Sequence, residues 1–287
     1  MDEIQVETQA QSSSKIIAKS LKILAKNFTL LITITALTIL PLSLLLFSLS
    51  LSTRPLATEI SRKQALVAWL APSAITRHVI REIRSDSLKL LSLKFIYFLP
   101  SYILSLSSTI TVVRSAFIAH NGKTPTLESA ITAVKKTWKR PLVTSLYVYF
   151  VKLLYDNAVN VCYAFPVKWV VVVLVTSCFR VLWFYGAAVL SMGMVVSVVE
   201  EREGMDALKT AFDLMGGRWF CGWLLGGLQV VLTGGIGYVF MERKGGFVDG
   251  VFLVLMFCFV VLVGYLINTV FYFECRKCLG REKVDGI

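Results

Sequence analysis

The stretch from Leu142 to Ser197 constrains the fold more than any other. It consists of two apolar runs joined by the short turn Phe165-Pro166-Val167-Lys168. Each run is long enough to cross a hydrocarbon core of roughly 30 Å at about 1.5 Å per residue. Four more runs of the same character give six expected spans, at residues 28–51, 90–119, 142–164, 169–199, 219–241 and 247–273. Inside lipid the backbone must satisfy its own hydrogen bonds, and runs of this length do so as helices. The expected fold is therefore all-α: a polytopic membrane helix bundle of about six transmembrane helices with amphipathic interfacial helices. A hydrophobic content of 56% and a mean hydropathy of +0.69 agree, because soluble domains are only about 45–50% apolar.

Residues 1–14 are rich in Gln, Ser and acid and lack apolar periodicity, which predicts a disordered tail. At 15–27 the pattern becomes that of a basic amphipathic helix. Lys15, Lys19, Lys22 and Lys26 recur at spacings of four, three and four, and Ile17, Leu21, Leu24 and Phe28 follow the same rhythm half a turn away. Such a helix suits an anionic headgroup layer, and the same lysines serve as a positive flank that fixes orientation. Pro41 is expected to kink the first span. The long connection from Ser52 to Lys89 mixes arginines with apolar clusters and fits two short surface helices. Lys94 and Arg114 lie near the ends of the second span, where long stems carry charge to the interface.

A second surface helix is signalled by Thr124-Pro125-Thr126-Leu127-Glu128, with a Thr cap, an early Pro and an acid in the first turn. Its apolar stripe is Leu127, Ile131, Val134 and Trp138, and Lys135, Lys136, Lys139 and Arg140 gather towards its end. A third surface helix carries Met205, Leu208, Phe212 and Met215 and stops at Gly216-Gly217. Shifting the second by 77 positions aligns Ala130 with Ala207, the mark of a span, surface helix, span unit used twice. Gly222 and Gly226 have the spacing that lets helix backbones approach closely. Lysine and arginine fall mainly in segments on the side of both termini, which places those termini in the cytosol and leaves 274–287 as a short cytosolic tail.

Charge inside the third and fourth spans needs an explanation. Ser145, Tyr149, Lys152, Asp156 and Asn160 form one polar stripe, and Arg180 lies about as far after the Pro166 turn as Lys152 lies before it. Lys152, Asp156 and Arg180 are thus an expected intramembrane charged centre. It is either a ligand or ion site with Asp156 as its working group, or a packing clasp in the bundle interior.

Other chemistry is excluded more simply. Cys275 and Cys278 have CxxC spacing, but a zinc site needs about four ligands and no second pair completes it. Beside a span end and among basic residues, they are palmitoylation candidates. No nucleophile motif, phosphate loop or carboxylate pair appears, so neither an enzyme nor a cofactor or metal is expected. The net charge of +12 belongs to membrane connections and does not call for nucleic acid.

The segment Val198-Val199-Glu200-Glu201-Arg202-Glu203-Gly204-Met205-Asp206-Ala207-Leu208-Lys209, closing at Leu214-Met215-Gly216-Gly217-Arg218, resembles the signature of a plant family of uncharacterised polytopic membrane proteins. That family is distantly similar to the membrane domain fused to some bacterial glycerophosphoryl diester phosphodiesterases. The resemblance implies a helical membrane bundle and carries over no catalytic residue, because the phosphodiesterase chemistry resides in a separate soluble domain.

The functional expectation is a non-enzymatic, membrane-organising or accessory protein of an endomembrane (the endoplasmic reticulum) or the plasma membrane. Its partners would be the bilayer itself, anionic lipid headgroups, and other membrane proteins or further copies of the chain. The alternative expectation is a small-molecule or ion transporter that uses the Lys152, Asp156 and Arg180 centre.

Overall fold

The structure, a computed structural model, describes residues 3–69, 74–164, 169–200, 202–242 and 247–285. The expected turn at 165–168 and the side chains of Asn160 and Cys162 lie outside the described residues. Every described element is helical. Five stretches are long and apolar enough to cross a membrane: Phe28–Val67, Thr76–His120, Val173–Val199, Gly204–Phe240 and Val248–Cys278. The third expected span lies on α6 (Lys139–Ala164), which is not among the five found in the described residues and which carries Lys152 and Asp156 within its apolar run.

The N-terminus departs from expectation. Helix α1 (Glu3–Lys26) already begins within the segment expected to be disordered. Ser13, Ile16, Ser20 and Leu24 form its buried stripe, so small hydroxyl residues let it approach the bundle closely. Ser13 donates to the Cys221 sulfur at 3.0 Å, and Arg218 donates to Ser12 at 3.4 Å. The stripe expected to carry the apolar face is offset from the buried one, and Leu21 and Phe28 on it are exposed.

The first span begins as α2 (Phe28–Ile34) and continues as α3 (Leu40–Trp69), with a π-helical turn at Thr35–Ile39 between them. Pro41 accounts for that turn: its ring has no N–H for the preceding turn and crowds the carbonyl four residues back. The connection at 52–89 does not form two surface helices. Its described residues, 52–69 and 74–89, are the distal half of an antiparallel pair of helices, α3 and α4 (Ala74–His120). The hairpin is pinned by Lys63, which reaches Asp86 at 2.8 Å, Glu59 at 3.0 Å and Glu82 at 3.3 Å. Alternating basic and acidic residues, rather than surface amphipathicity, hold this segment.

The remaining helices are α5 (Leu127–Thr137), α7 (Trp169–Val199), α8 (Gly204–Met215), α9 (Trp219–Glu242) and α10 (Phe247–Asp285). Helix α10 runs through both buried clusters. Its N-terminal half meets Leu31, Ile39, Phe47 and Val112, and its C-terminal half meets Ile16, Val195, Ala207 and Cys221. Both short helices form as expected, with adjusted detail. Thr126 caps α5 through a reciprocal bond with Ser129, while Ala130 supplies its buried contact and leaves Ile131 and Trp138 exposed. In α8 the buried stripe is Ala207, Leu208, Ala211, Leu214 and Met215, with Met205 and Phe212 outside. Ala130 and Ala207, which the 77-residue shift pairs, are both buried.

The glycines on α9 act at one place in particular. A side chain on Gly226 would come 2.5 Å from the Phe184 carbonyl oxygen, so α7 and α9 meet backbone to backbone there. Gly222 faces Met215 and Phe271. Helices α1, α5 and α8, together with the C-terminal part of α10, thus assemble at one end of the bundle, here termed the base.

Candidate functional site

Of the expected polar stripe on α6, Ser145, Tyr149 and Lys152 line a cavity of about 320 Å³ inside the bundle. Spacings of four and three put them on one helix face. Helix α4 adds Ser105 and Thr109, α7 adds Trp183, Ser191 and Met194, α9 adds Gln229, and α10 adds Tyr265 and Asn268. The volume lies at the lower end of the range for small-ligand sites, roughly 300–1,000 Å³.

The cavity wall is a network of short polar links. Tyr102 and Ser145 share a hydrogen bond of 2.5 Å, and Ser145 also donates to the Leu142 carbonyl. Thr109 meets the Tyr265 hydroxyl at 3.0 Å, and Asn268 donates to Gln229 at 3.2 Å. Gly264 makes the last link possible, because a side chain there would meet the Gln229 amide nitrogen at 2.5 Å. Tyr149 packs against Tyr102 and Phe98, with ring centroids 5.5 and 5.8 Å away. Polar groups in an apolar bundle stay there at low cost when each has a partner, and they fix helix register.

Among the described residues, Lys152 is the single charged one lining this cavity. It lies about 20 Å along α6 from Lys139. Its side chain is exposed at the cavity edge and forms no ion pair among the described residues. Asp156 and Arg180 do not join it. Tyr155 stacks on Trp183 at 4.2 Å and approaches Phe179 at 6.4 Å, while Thr144 near the start of α6 meets Gly204 just past the end of α7, so α6 and α7 are antiparallel and Asp156 and Arg180 share a level. Both are exposed, and Arg180 is about 29 Å along α7 from Val199. The expected three-charge centre is therefore one lysine at a cavity and two charges near the end of the bundle opposite the base.

At the base, the faces of α1 and α5 that carry no core contacts are basic, as is the start of α6. Lys15, Lys22, Lys26, Lys135, Lys136 and Lys139 are exposed, and Arg140 is half-buried. Lys19 differs, pairing with Glu274 at 2.8 Å. Cys275 is buried in the same cluster as Ile16 and Cys221, whereas Cys278 is partly exposed.

One site escaped sequence reasoning. Glu200, at the end of α7, accepts from the Tyr272 hydroxyl at 2.6 Å and from Arg276 at 3.1 Å, and Arg202 lies 3.6 Å away. The Glu of the Val198-Val199-Glu200 segment is thus a joint between α7 and α10. Gly204 has φ +57°, and its N–H donates to Thr144 at 3.0 Å. A side chain there would meet the Tyr147 ring at 3.0 Å. Gly204 thus seats the start of α8 against α6.

The fold and site define an all-α bundle with helices fit to cross a membrane, a basic base and a polar internal cavity. The chain belongs to the family described as a domain of unknown function (DUF8558), whose model matches residues 1–286. No curated protein and no solved structure matches it.

Proposed function

We propose that this chain is a non-enzymatic, multi-pass membrane protein that organises or supports the membrane it crosses, an endomembrane or the plasma membrane, with both termini in the cytosol. The observation that carries this reading is the construction of the base. Helices α1 and α5 are held by buried contacts at Ile16, Leu24 and Ala130, and their outward faces present lysines on one side of the bundle. Each lysine near an anionic surface contributes about 1 kcal/mol of attraction. Kinship with the plant membrane proteins and phosphodiesterase membrane domains that the Glu200 to Arg218 signature resembles belongs to this reading, as do partner membrane proteins or a second copy of the chain.

The test is lipid selectivity of the full chain reconstituted in vesicles that mix neutral and anionic lipid. Spin-labelled anionic lipid is expected to be enriched around the wild type. Enrichment should fall when Lys15, Lys22, Lys26, Lys135 and Lys139 are changed to Gln, with Lys19 kept for its pair with Glu274. Equal enrichment around both proteins refutes the role of the base.

The cavity supports a second reading, a carrier of small anionic solutes with Lys152 as the charge that meets them. On that reading one member of an anion panel stabilises the wild type against heat and does not stabilise Lys152→Gln. Stabilisation of neither protein by any member removes it.

A further inference from the structure

Arg114 interrupts a buried stretch of α4. Val112, Val113 and Ala116 around it are buried, while its own side chain is half-exposed and lies over the Phe117 ring, 5.4 Å from the centroid. The guanidinium has no hydrogen bond or ion pair among the described residues. Beside it, α5 turns Ser129, Thr132, Ala133 and Lys136 into a shared cleft of about 430 Å³, which Glu128 also lines. Spacings of three, one and three place those α5 residues on one face. The cleft is preformed: the Thr126 cap fixes the start of α5, and Ala130 is buried in the same cluster as Val112 and Ala116.

We infer that this cleft holds the headgroup of an amine-bearing phospholipid, with its phosphodiester between Arg114 and Lys136 and its ammonium against Glu128. The guanidinium fork matches the geometry of two phosphate oxygens, and Lys136 adds a second positive charge. Glu128 sets the class. A carboxylate in the cleft repels a polyanionic headgroup and attracts one that carries its own cation. Depth sets the source. Arg114 lies about 9 Å along α4 from His120, at the end of an apolar run, which is where headgroup phosphates meet a crossing helix. The inference therefore rests on the membrane-crossing reading proposed above and adds to it a discrete site with one ligand class.

Native mass spectrometry of the full chain in neutral detergent, titrated with phosphatidylethanolamine, tests it. The wild type is expected to retain one lipid at concentrations where Arg114→Gln/Lys136→Gln retains roughly tenfold less. Arg114→Lys, which keeps the charge and loses the fork, should fall between them and guards against misfolding of the double variant. Glu128→Gln should lose the preference for phosphatidylethanolamine over phosphatidylglycerol. Equal lipid retention by wild type and both Arg114 variants overturns the site. Competition by soluble glycerophosphoethanolamine at the concentration of the lipid overturns the lipid assignment and leaves a free phosphodiester. Lys15, Lys22 and Lys26 do not line the cleft. A Gln variant of those three that loses bulk anionic enrichment while keeping the bound lipid separates failure of the general reading from failure of this one.

Discussion

The hydroxyl of Tyr272 donates to Glu200 across 2.6 Å, joining the end of α7 to a fully buried position on α10. Arg276 closes the joint, donating to the Tyr272 oxygen at 2.6 Å and to Glu200 at 3.1 Å. Tyr272→Phe keeps the ring and removes the bond to a mostly buried carboxylate together with one of the two acceptors of Arg276, which keeps its bond to Glu200. A hydrogen bond to a charged group contributes about 1.5–3 kcal/mol, so the variant should unfold earlier by that amount in a denaturant titration in detergent. Glu200→Ala should cost more, because it leaves the buried hydroxyl without its acceptor and takes one of two acceptors from the Arg276 guanidinium. An unchanged midpoint for both variants would show that the joint does not hold α7 to α10.

Gly226 predicts a second, purely steric effect. The obstacle to a side chain there is the Phe184 backbone oxygen, which cannot rotate away. Gly226→Ala should therefore destabilise the bundle by about 1–3 kcal/mol, the usual range for overpacking. Gly234, on the same helix, has nothing within 4 Å, and Gly234→Ala is the matched control, expected to be neutral. Equal effects at the two positions would mean that helix propensity, and not the α7–α9 approach, decides.

The glycine spacing was legible in the sequence because close helix approach demands small residues at fixed intervals. The helical class, the α5 and α8 segments and the antiparallel pairing of α6 with α7 were legible for the same kind of reason, since apolar runs and their interruptions set them. Less could be read where long-range geometry decides. Ser13 reads as part of a disordered tail until Cys221 is beside it, and the arginines at 54–84 read as two short surface helices until Lys63 finds Asp86 across the hairpin. In the candidate site the stripe gave Ser145, Tyr149 and Lys152. It gave no hint of Gln229 or Tyr265, which arrive from helices far along the chain. Counting residues from the Pro166 turn levelled Lys152 with Arg180, whereas the stacking of Tyr155 on Trp183 and its approach to Phe179 level Arg180 with Asp156, one turn further along α6.

The hairpin of α3 and α4 should depend on Lys63 more than on any other single charge. One ammonium faces Glu59, Glu82 and Asp86, and Lys89 supports Asp86 from 3.3 Å. Lys63→Met leaves three carboxylates facing one another and should open the hairpin locally. Limited trypsin digestion is expected to cut faster at Arg77, Arg81 and Arg84 in that variant, with wild-type protection restored by Lys63→Arg. Because the residues are close to solvent, raising the salt should narrow the gap between wild type and variant. Identical digestion rates for wild type and Lys63→Met would assign the pairing of the helices to Ile60 and its apolar neighbours instead.

The docking of α1 can be read from thiol reactivity. Cys178 is exposed, Cys278 is partly exposed, and Cys221, Cys258 and Cys275 are buried. Maleimide labelling of a Cys162→Ser background should proceed in that order. Ile16 and Cys275 share a buried cluster with Cys221, whose sulfur Ser13 contacts, whereas Cys258 belongs to the other cluster. Ile16→Asp places an unpaired charge in the first cluster only, and a buried charge without a partner drives the helix off its seat. Cys221 and Cys275 should then react faster by an order of magnitude or so, with Cys258 unchanged. That pattern would establish α1 as part of the folded base. Uniform acceleration of all three would mean instead that the substitution unfolds the bundle, and no acceleration would mean that α1 does not cover the α9 and α10 thiols.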